Sequence, residues 1–319
     1  ASSGEDLRKL QQKYGPGKLH CGPRYADDPS DRRIRAKVPI EREFIVDFDL
    51  SDYGVDADSV DDCARAWPLI VLAMKSVGLV LETHFGFEHV VYAHSGRRGG
   101  HVWVMDAAAR ELTDEERKAI VSWCTPHGSE TQGGKARFEW ACKHPNFREL
   151  SALAEACFVR HCLPSVDAGG LGMLDEPDDR VDFAEAISPR LAAEKEAILR
   201  NVGSGSEAYV HLVQHIRKIG HKGAFLMTAL RAAVLGRVWM KPDAAVSTAR
   251  NHTLKVFFSV HPKTGCVSLP IPKDELDAFD PRTLPTVGAL FEEDEAAVMA
   301  VQAAARHIGA LARVLARAQ

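Results

Sequence analysis

The chain has 319 residues, 45% hydrophobic and 26% charged, with 40 Lys and Arg against 44 Asp and Glu for a formal net charge of −4. This composition excludes a disordered chain, a collagen-like repeat and a disulfide-dense scaffold, and the near-neutral charge excludes a bulk basic coat for nucleic acid. The longest apolar runs, 68–74 and 77–81, fall short of the roughly 18–20 residues that span a bilayer, so no membrane segment is expected. Seven scattered cysteines, an odd number, favour a reducing compartment over a disulfide framework. The polar opening Ala1-Ser2-Ser3-Gly4-Glu5-Asp6 is no signal peptide and reads as a chain lacking its natural start.

Along the chain, residues 43–50 alternate, with Phe44, Val46, Phe48 and Leu50 on one face of a strand and Ile45, Asp47 and Asp49 on the other. Residues 64–81 predict a buried helix despite Pro68, and 89–93 and 101–105 predict strands joined by a Gly- and Arg-rich connection at 95–100. Thr113 with Glu116 has the capping-box form and opens a helix through Ile120 and Trp123. A polar loop at 126–134 follows. Ser188-Pro189 predicts a helix start before 191–199, and 207–219 and 224–239 read as further helices. Strand character returns at 255–261, then a tight turn at 262–265 and a strand at 266–271. Residues 291–319 form a closing amphipathic helix, acidic at its start and basic towards its end. A sheet interrupted by helices and resumed afterwards predicts an α+β fold.

Three groups of residues carry chemistry. Asp47 and Asp49, two apart on a strand, leave the same face about 6.6 Å apart at the backbone. Paired, partly desolvated carboxylates favour a divalent cation such as magnesium, and the plain alternative is an edge strand facing water. The run Ser95-Gly96-Arg97-Arg98-Gly99-Gly100-His101 combines glycines that let a backbone approach a ligand with guanidinium, hydroxyl and imidazole donors for phosphate; its alternative is a solvated hairpin loop. Lys255, Phe257, Ser259 and His261 are expected on one face of a strand. Asp243 could add a third carboxylate, or simply follow Pro242 in a turn. Together these are the groups that phosphoryl or nucleotidyl transfer uses. No GxxxxGK[ST] or GxGxxG run is present.

On the blocks Glu43 to Tyr53, Phe85-Gly86-Phe87, Ser95 to Val104, Asn251-His252, Ser259-Val260-His261-Pro262-Lys263-Thr264-Gly265 and Phe279-Asp280-Pro281, the chain resembles the small catalytic subunits of eukaryotic-type DNA primase, in the archaeo-eukaryotic primase superfamily. The resemblance implies a mixed-sheet catalytic module formed by 1–106 and 238–290, a mainly helical insertion at 107–237, and a C-terminal helix at 291–319 packed on the module. It implies that Asp47, Asp49 and Asp243 bind two Mg²⁺ or Mn²⁺ ions, and that Ser95, Arg97, Arg98, His101, Lys255 and His261 hold the triphosphate of an incoming nucleotide. It also implies synthesis of short RNA primers on a single-stranded DNA template from ribonucleoside triphosphates. The implied partners are a large primase subunit with an iron–sulfur cluster and DNA polymerase alpha, and the implied setting is the nucleus. A primase-polymerase relative using deoxynucleotides and an inactive scaffold are the alternatives. The family's zinc cysteines are expected to be absent, because Cys63-Ala64-Arg65-Ala66-Trp67 keeps one cysteine where four ligands are needed. Lys241-Pro242-Asp243 also departs from the family's usual Arg-hydrophobic-Asp run.

Overall fold

The computed structural model describes residues 4–15, 19–125, 138, 139 and 141–317. The loop expected at 126–134 lies outside the described residues. The chain forms two compact units: Ala1–Asp47, Glu82–Lys118 and Asp243–Gln319 make the first, and Phe48–Leu81 with Ala119–Pro242 the second.

The first unit holds the strands. They are β1 (His20–Cys21), β2 (Arg24–Tyr25), β3 (Pro39–Glu41), β4 (Phe44–Asp49, whose last two residues open the second unit), β5 (Val90–His94), β6 (Gly99–Val104), β7 (Leu254–Lys255) and β8 (Pro270–Ile271). The main sheet has the order β4-β6-β5-β8, and β1 with β7 and β2 with β3 form two small pairs. The β5–β6, β5–β8, β1–β7 and β2–β3 pairs are all antiparallel. With many helices beside small sheets, the architecture is α+β.

Alternation decides what β4 buries. Phe44, Val46 and Phe48 are fully covered, while Ile45, on the face that carries Asp47, packs with Val91, Trp103, Val246 and Leu254. The closing helix Glu295–Arg317 lays Ile308 and Leu311 on that cluster and Ala304 on a second one built from Val267, Leu269 and Leu284. Its start is fixed by Asp294, whose Oδ1 accepts the Ala297 N–H at 2.8 Å. It begins at Glu295 and not at residue 291, because a short separate helix, Val287–Phe291, precedes it.

The second unit is helical. Helix Val60–Phe85, whose last turn belongs to the first unit, fuses the two short apolar runs into one element. It is long and apolar enough to cross a membrane, contrary to what the separate runs suggested. However, 72% of its most apolar window is buried within the protein, as in the core helix of a folded domain. Helices Arg148–Cys157, Pro177–Ile187, Pro189–Asn201, Gly205–Lys218 and Gly223–Val238 also belong to this unit, with the last turns of Asp114–Cys124. Ser188 and Ser204 cap two of them, accepting from Leu191 N–H at 3.5 Å and Glu207 N–H at 3.2 Å. At the centre, Phe158 stacks on Phe183 at 5.7 Å, with Tyr209 set edge-on at 5.7 Å.

These units differ from the expected division in three places, one of them residues 238–242, which group with the helices and not with the sheet. Residues 48–81 group with the helices, since a helix apolar on nearly every side needs other helices around it. Residues 107–118 group with the sheet, because Arg117 binds them there. Its buried guanidinium donates to the carbonyls of Glu43 (3.0 Å), Leu112 (3.1 Å), Ala109 (3.2 Å) and Arg42. Burial, with a contribution from Arg42, pushes its pKa down to about 10. The Thr113–Glu116 capping box forms as the sequence predicts, with the Thr113 N–H and Oγ1 both 2.8 Å from Glu116 Oε2.

Phe158→Ala removes the ring at the centre of the helical unit and is expected to cost about 3–5 kcal/mol in a urea unfolding curve. A loss below about 1 kcal/mol would show that the three rings do not pack as a unit.

Candidate active site

Asp243 is brought to Asp47 by the backbone. Its N–H donates to the Asp47 carbonyl at 2.9 Å, joining two residues remote in sequence. Asp243 also caps the short helix Ala244–Thr248, its Oδ1 accepting from the N–H groups of Ala245 (2.8 Å) and Val246 (3.2 Å). Asp49, two residues beyond Asp47 on β4, accepts the N–H (2.8 Å) and Oγ–H (2.6 Å) of Ser51 on its Oδ1, capping the turn Leu50–Tyr53. Both acids are therefore oriented by local caps. Among the described residues, no group of three or more His, Cys, Asp or Glu side chains converges closely enough to hold a metal ion. The donor set nevertheless suits a hard cation, since carboxylate oxygens are what magnesium and manganese take.

His101 stands on β6, next to β4, with Nε2 3.3 Å from Asp47 Oδ1. The ring is buried, and burial together with the charge of Lys255 pushes its pKa down to about 3. The contact is a close polar approach of the imidazole to the carboxylate. His101 Nδ1 has no hydrogen-bond partner among the described residues.

The glycine- and arginine-rich connection is a short loop between β5 and β6. Gly99, Gly100 and His101 already belong to β6, with Gly100 paired to His94. Ser95 closes the loop in both directions, its N–H donating to the Gly99 carbonyl (2.9 Å) and its Oγ accepting the Gly99 N–H (3.1 Å). Gly96 has φ +89°, and a Cβ there would lie 3.0 Å from His261 Cβ and 3.1 Å from the Cys266 carbonyl oxygen, so only glycine fits. Thr264 Oγ1 donates to the Gly96 carbonyl (2.7 Å) and Lys255 Nζ to the Ser95 carbonyl (2.6 Å). Arg97 and Arg98, both half-buried, sit within this braced loop.

Lys255 and His261 reach the loop, but not along one strand face as expected. β7 ends at Lys255, Ser259 N–H turns back to the Val256 carbonyl (3.2 Å), and Phe258 takes φ +66°. That turn destroys the alternation. The following segment 266–271 is likewise strand only at Pro270–Ile271, with a Val260–Val267 bridge. The tight turn at 262–265 does form, closed by Gly265 N–H on the His261 carbonyl at 2.8 Å. The first unit thus gathers Asp47, Ser95, Arg97, Arg98, His101, Asp243, Lys255 and His261 around the ends of β4, β5 and β6.

The model of the DNA primase small subunit family matches residues 46–272, most of the chain. The chain belongs to this family. It is 29% identical over 305 residues to the DNA primase small subunit of Schizosaccharomyces pombe, covering 92% of this chain and 66% of that protein. It is 27% identical over 304 residues to the Drosophila melanogaster DNA primase small subunit (90% and 69%). It is also 24% identical over 306 residues to the DNA primase small subunit PriS of the archaeon Halorubrum lacusprofundi (88% and 74%). The chain spans about two thirds of the length of the first two relatives.

One residue beside the glycine- and arginine-rich loop escaped the sequence reading. His94 ends β5, is fully buried, and accepts the Gly96 N–H on Nδ1 at 2.9 Å, its ring 5.7 Å from that of Phe279. Ser268 Oγ holds its carbonyl at 2.8 Å. The predicted strand stopped at Ala93 and left His94 unassigned, although a polar residue between an apolar strand and a glycine loop was the available signal. Burial, then the neighbouring His101, Lys255 and His261, push the His94 pKa down to about 3.

A neutral buried His94 has a consequence for acid stability. Its contribution is complete above the ordinary histidine value of 6.5 and is lost as pH falls from 6.5 towards 3, by at most about 1.4 kcal/mol per pH unit. In thermal melts across that window, His94→Asn, which keeps an acceptor for Gly96 but cannot titrate, is expected to lose stability less steeply than the parent. Parallel profiles would show that His94 is not the neutral acceptor.

Proposed function

We propose that the chain synthesises short RNA primers on a single-stranded DNA template during replication, as a nucleotidyltransferase acting on ribonucleoside triphosphates. The observation that carries this is the Asp243 N–H bond to the Asp47 carbonyl, beside a loop that brings Ser95, Arg97, Arg98, Lys255 and His261 together. An acidic end and a cationic loop on one sheet are what an incoming triphosphate needs.

In this reading Asp47, Asp49 and Asp243 hold two Mg²⁺ or Mn²⁺ ions, which would lower the pKa of a 3′-hydroxyl and offset charge on the reacting phosphate and the departing pyrophosphate. The remaining work belongs to the side chains. His101 sets its Nε2 against the Asp47 carboxylate at 3.3 Å. Arg97 and Arg98 present forked donors to the phosphates, and Ser95 and His261 flank them. Lys255 holds the Ser95 carbonyl and places a positive charge beside the loop.

The same proposal names the partners as a large primase subunit with an iron–sulfur cluster and DNA polymerase alpha, and the setting as the nucleus. It includes no structural zinc at Cys63, whose thiol donates to the Ala57 carbonyl at 3.4 Å, one helical turn before the buried Ala66.

The double variant Asp47→Asn and Asp49→Asn is expected to abolish primer synthesis on an unprimed single-stranded template, by at least about 100-fold, while keeping its thermal melt. Unchanged dinucleotide formation at matched protein and metal concentration would end the carboxylate assignment. Arg98→Ala is expected to raise the nucleotide KM about tenfold, equivalent to about 1.4 kcal/mol. Nucleotide binding as tight as the parent's would reduce the loop to ordinary surface.

A further inference from the structure

The helical unit contains a second feature suited to a nucleotide. A cavity of about 510 Å³ opens there, within the range of ligand sites. Val55, Val166, Leu171 and Met173 supply apolar lining, and Arg237 and Lys241 supply cations.

Lys241 is held in place from several sides. Its N–H donates to Tyr53 Oη (3.2 Å), and its Nζ lies 5.1 Å from the Tyr53 ring centroid and donates to the Asp52 carbonyl (3.1 Å). Burial lowers its pKa, the Asp52 charge opposes this, and the positive charge of Arg237 adds to the lowering. Arg237 closes the helix Gly223–Val238 and makes no ion pair among the described residues. The cavity's third cation, Arg65, is neutralised by Asp62, which leaves the exposed Asp56 as the other acid of the lining. Two cations that repel each other, next to thioether and branched aliphatic surface, fit a ligand with a phosphate at one end and a flat apolar body at the other.

We propose that this cavity binds a nucleoside phosphate, with the phosphate on Arg237 and Lys241 and the base against Leu171 and Met173. The choice of ligand class rests on the nucleotide-handling function proposed above. The same chemistry is offered by a free nucleotide and by one unit of a single-stranded nucleic acid, and a titration separates them.

The full chain is titrated without divalent metal against a labelled single-stranded oligothymidylate over a salt series, and separately against adenosine monophosphate. Arg237→Ala is expected to weaken oligonucleotide binding roughly 3- to 10-fold and to reduce the salt slope by about 0.7, the value for one lost phosphate contact on a single strand. Arg237→Lys is expected to recover most of the loss. Val166→Glu adds a negative charge on an exposed turn, where folding is not at risk, and is expected to weaken binding similarly. Loss confined to adenosine monophosphate would identify a free nucleotide as the ligand. Parent-like binding of both ligands by Arg237→Ala and Val166→Glu would overturn the site. Primer synthesis measured in parallel keeps the two proposals apart: no synthesis by the parent with a retained Arg237 effect removes only the catalytic proposal, and intact synthesis without that effect removes only this one.

Discussion

The hydrogen bond from Asp243 N–H to the Asp47 carbonyl joins the point where the chain leaves the first unit to a point where it returns. Asp47 is the last residue before one segment of the helical unit, and Asp243 the first after the other. A single backbone bond adds only about 0.5–1.5 kcal/mol. Its importance is geometric, because closing so long a loop is unfavourable and only slightly more so if the loop lengthens. Once exit and return are tied, the size of the intervening helical segments no longer affects where the third carboxylate stands. That tolerance suits a chain whose second unit lies almost wholly between the two residues.

The cationic loop is positioned on a different principle. Several bonds that shape it end on neutral groups: the carbonyls of Ser95, Gly96 and Gly99, the Ser95 hydroxyl and the Nδ1 of His94. His94 and His101 stay uncharged because the sheet excludes water from them. Bonds to neutral acceptors shape a loop without adding negative charge to it. A loop braced by acids would carry less net positive charge for an anionic ligand to meet.

Local patterns made much of this legible in sequence. The alternation of β4 placed Asp47 and Asp49 on one face, the Thr113–Glu116 pair capped a helix, and the run from Ser95 to His101 announced a loop that only glycine can build at Gly96. Non-local features were not legible in the same way. The strand read over 255–261 fails at Phe258, whose left-handed backbone no propensity scale suggests for an aromatic residue. The two arms of that turn still converge on the loop, because Phe258 N–H bonds to the Ser268 carbonyl and His261 N–H to that of Cys266, both at 2.8 Å. His94 carried only a weak signal, a polar residue between an apolar strand and a glycine loop, because a histidine there gains its meaning from the amide it faces.

The family match runs from Val46 to Pro272, beginning inside β4 and ending one residue beyond β8, the two outer strands of the main sheet. The shared region is therefore the sheet and what is inserted within it. The closing helix Glu295–Arg317 lies beyond that region, yet Ile308 and Leu311 cover the cluster of Ile45, Val91 and Trp103. Ile45 shares its strand face with Asp47, so this helix buries the apolar root of the face whose outer end carries the acids. Without that cover, the face would expose branched and aromatic carbon directly beside a charged pair, and water would lower the field that the carboxylates and the loop exert on each other. A segment outside the family's common region thus supports the electrostatics of the residues inside it, through packing alone.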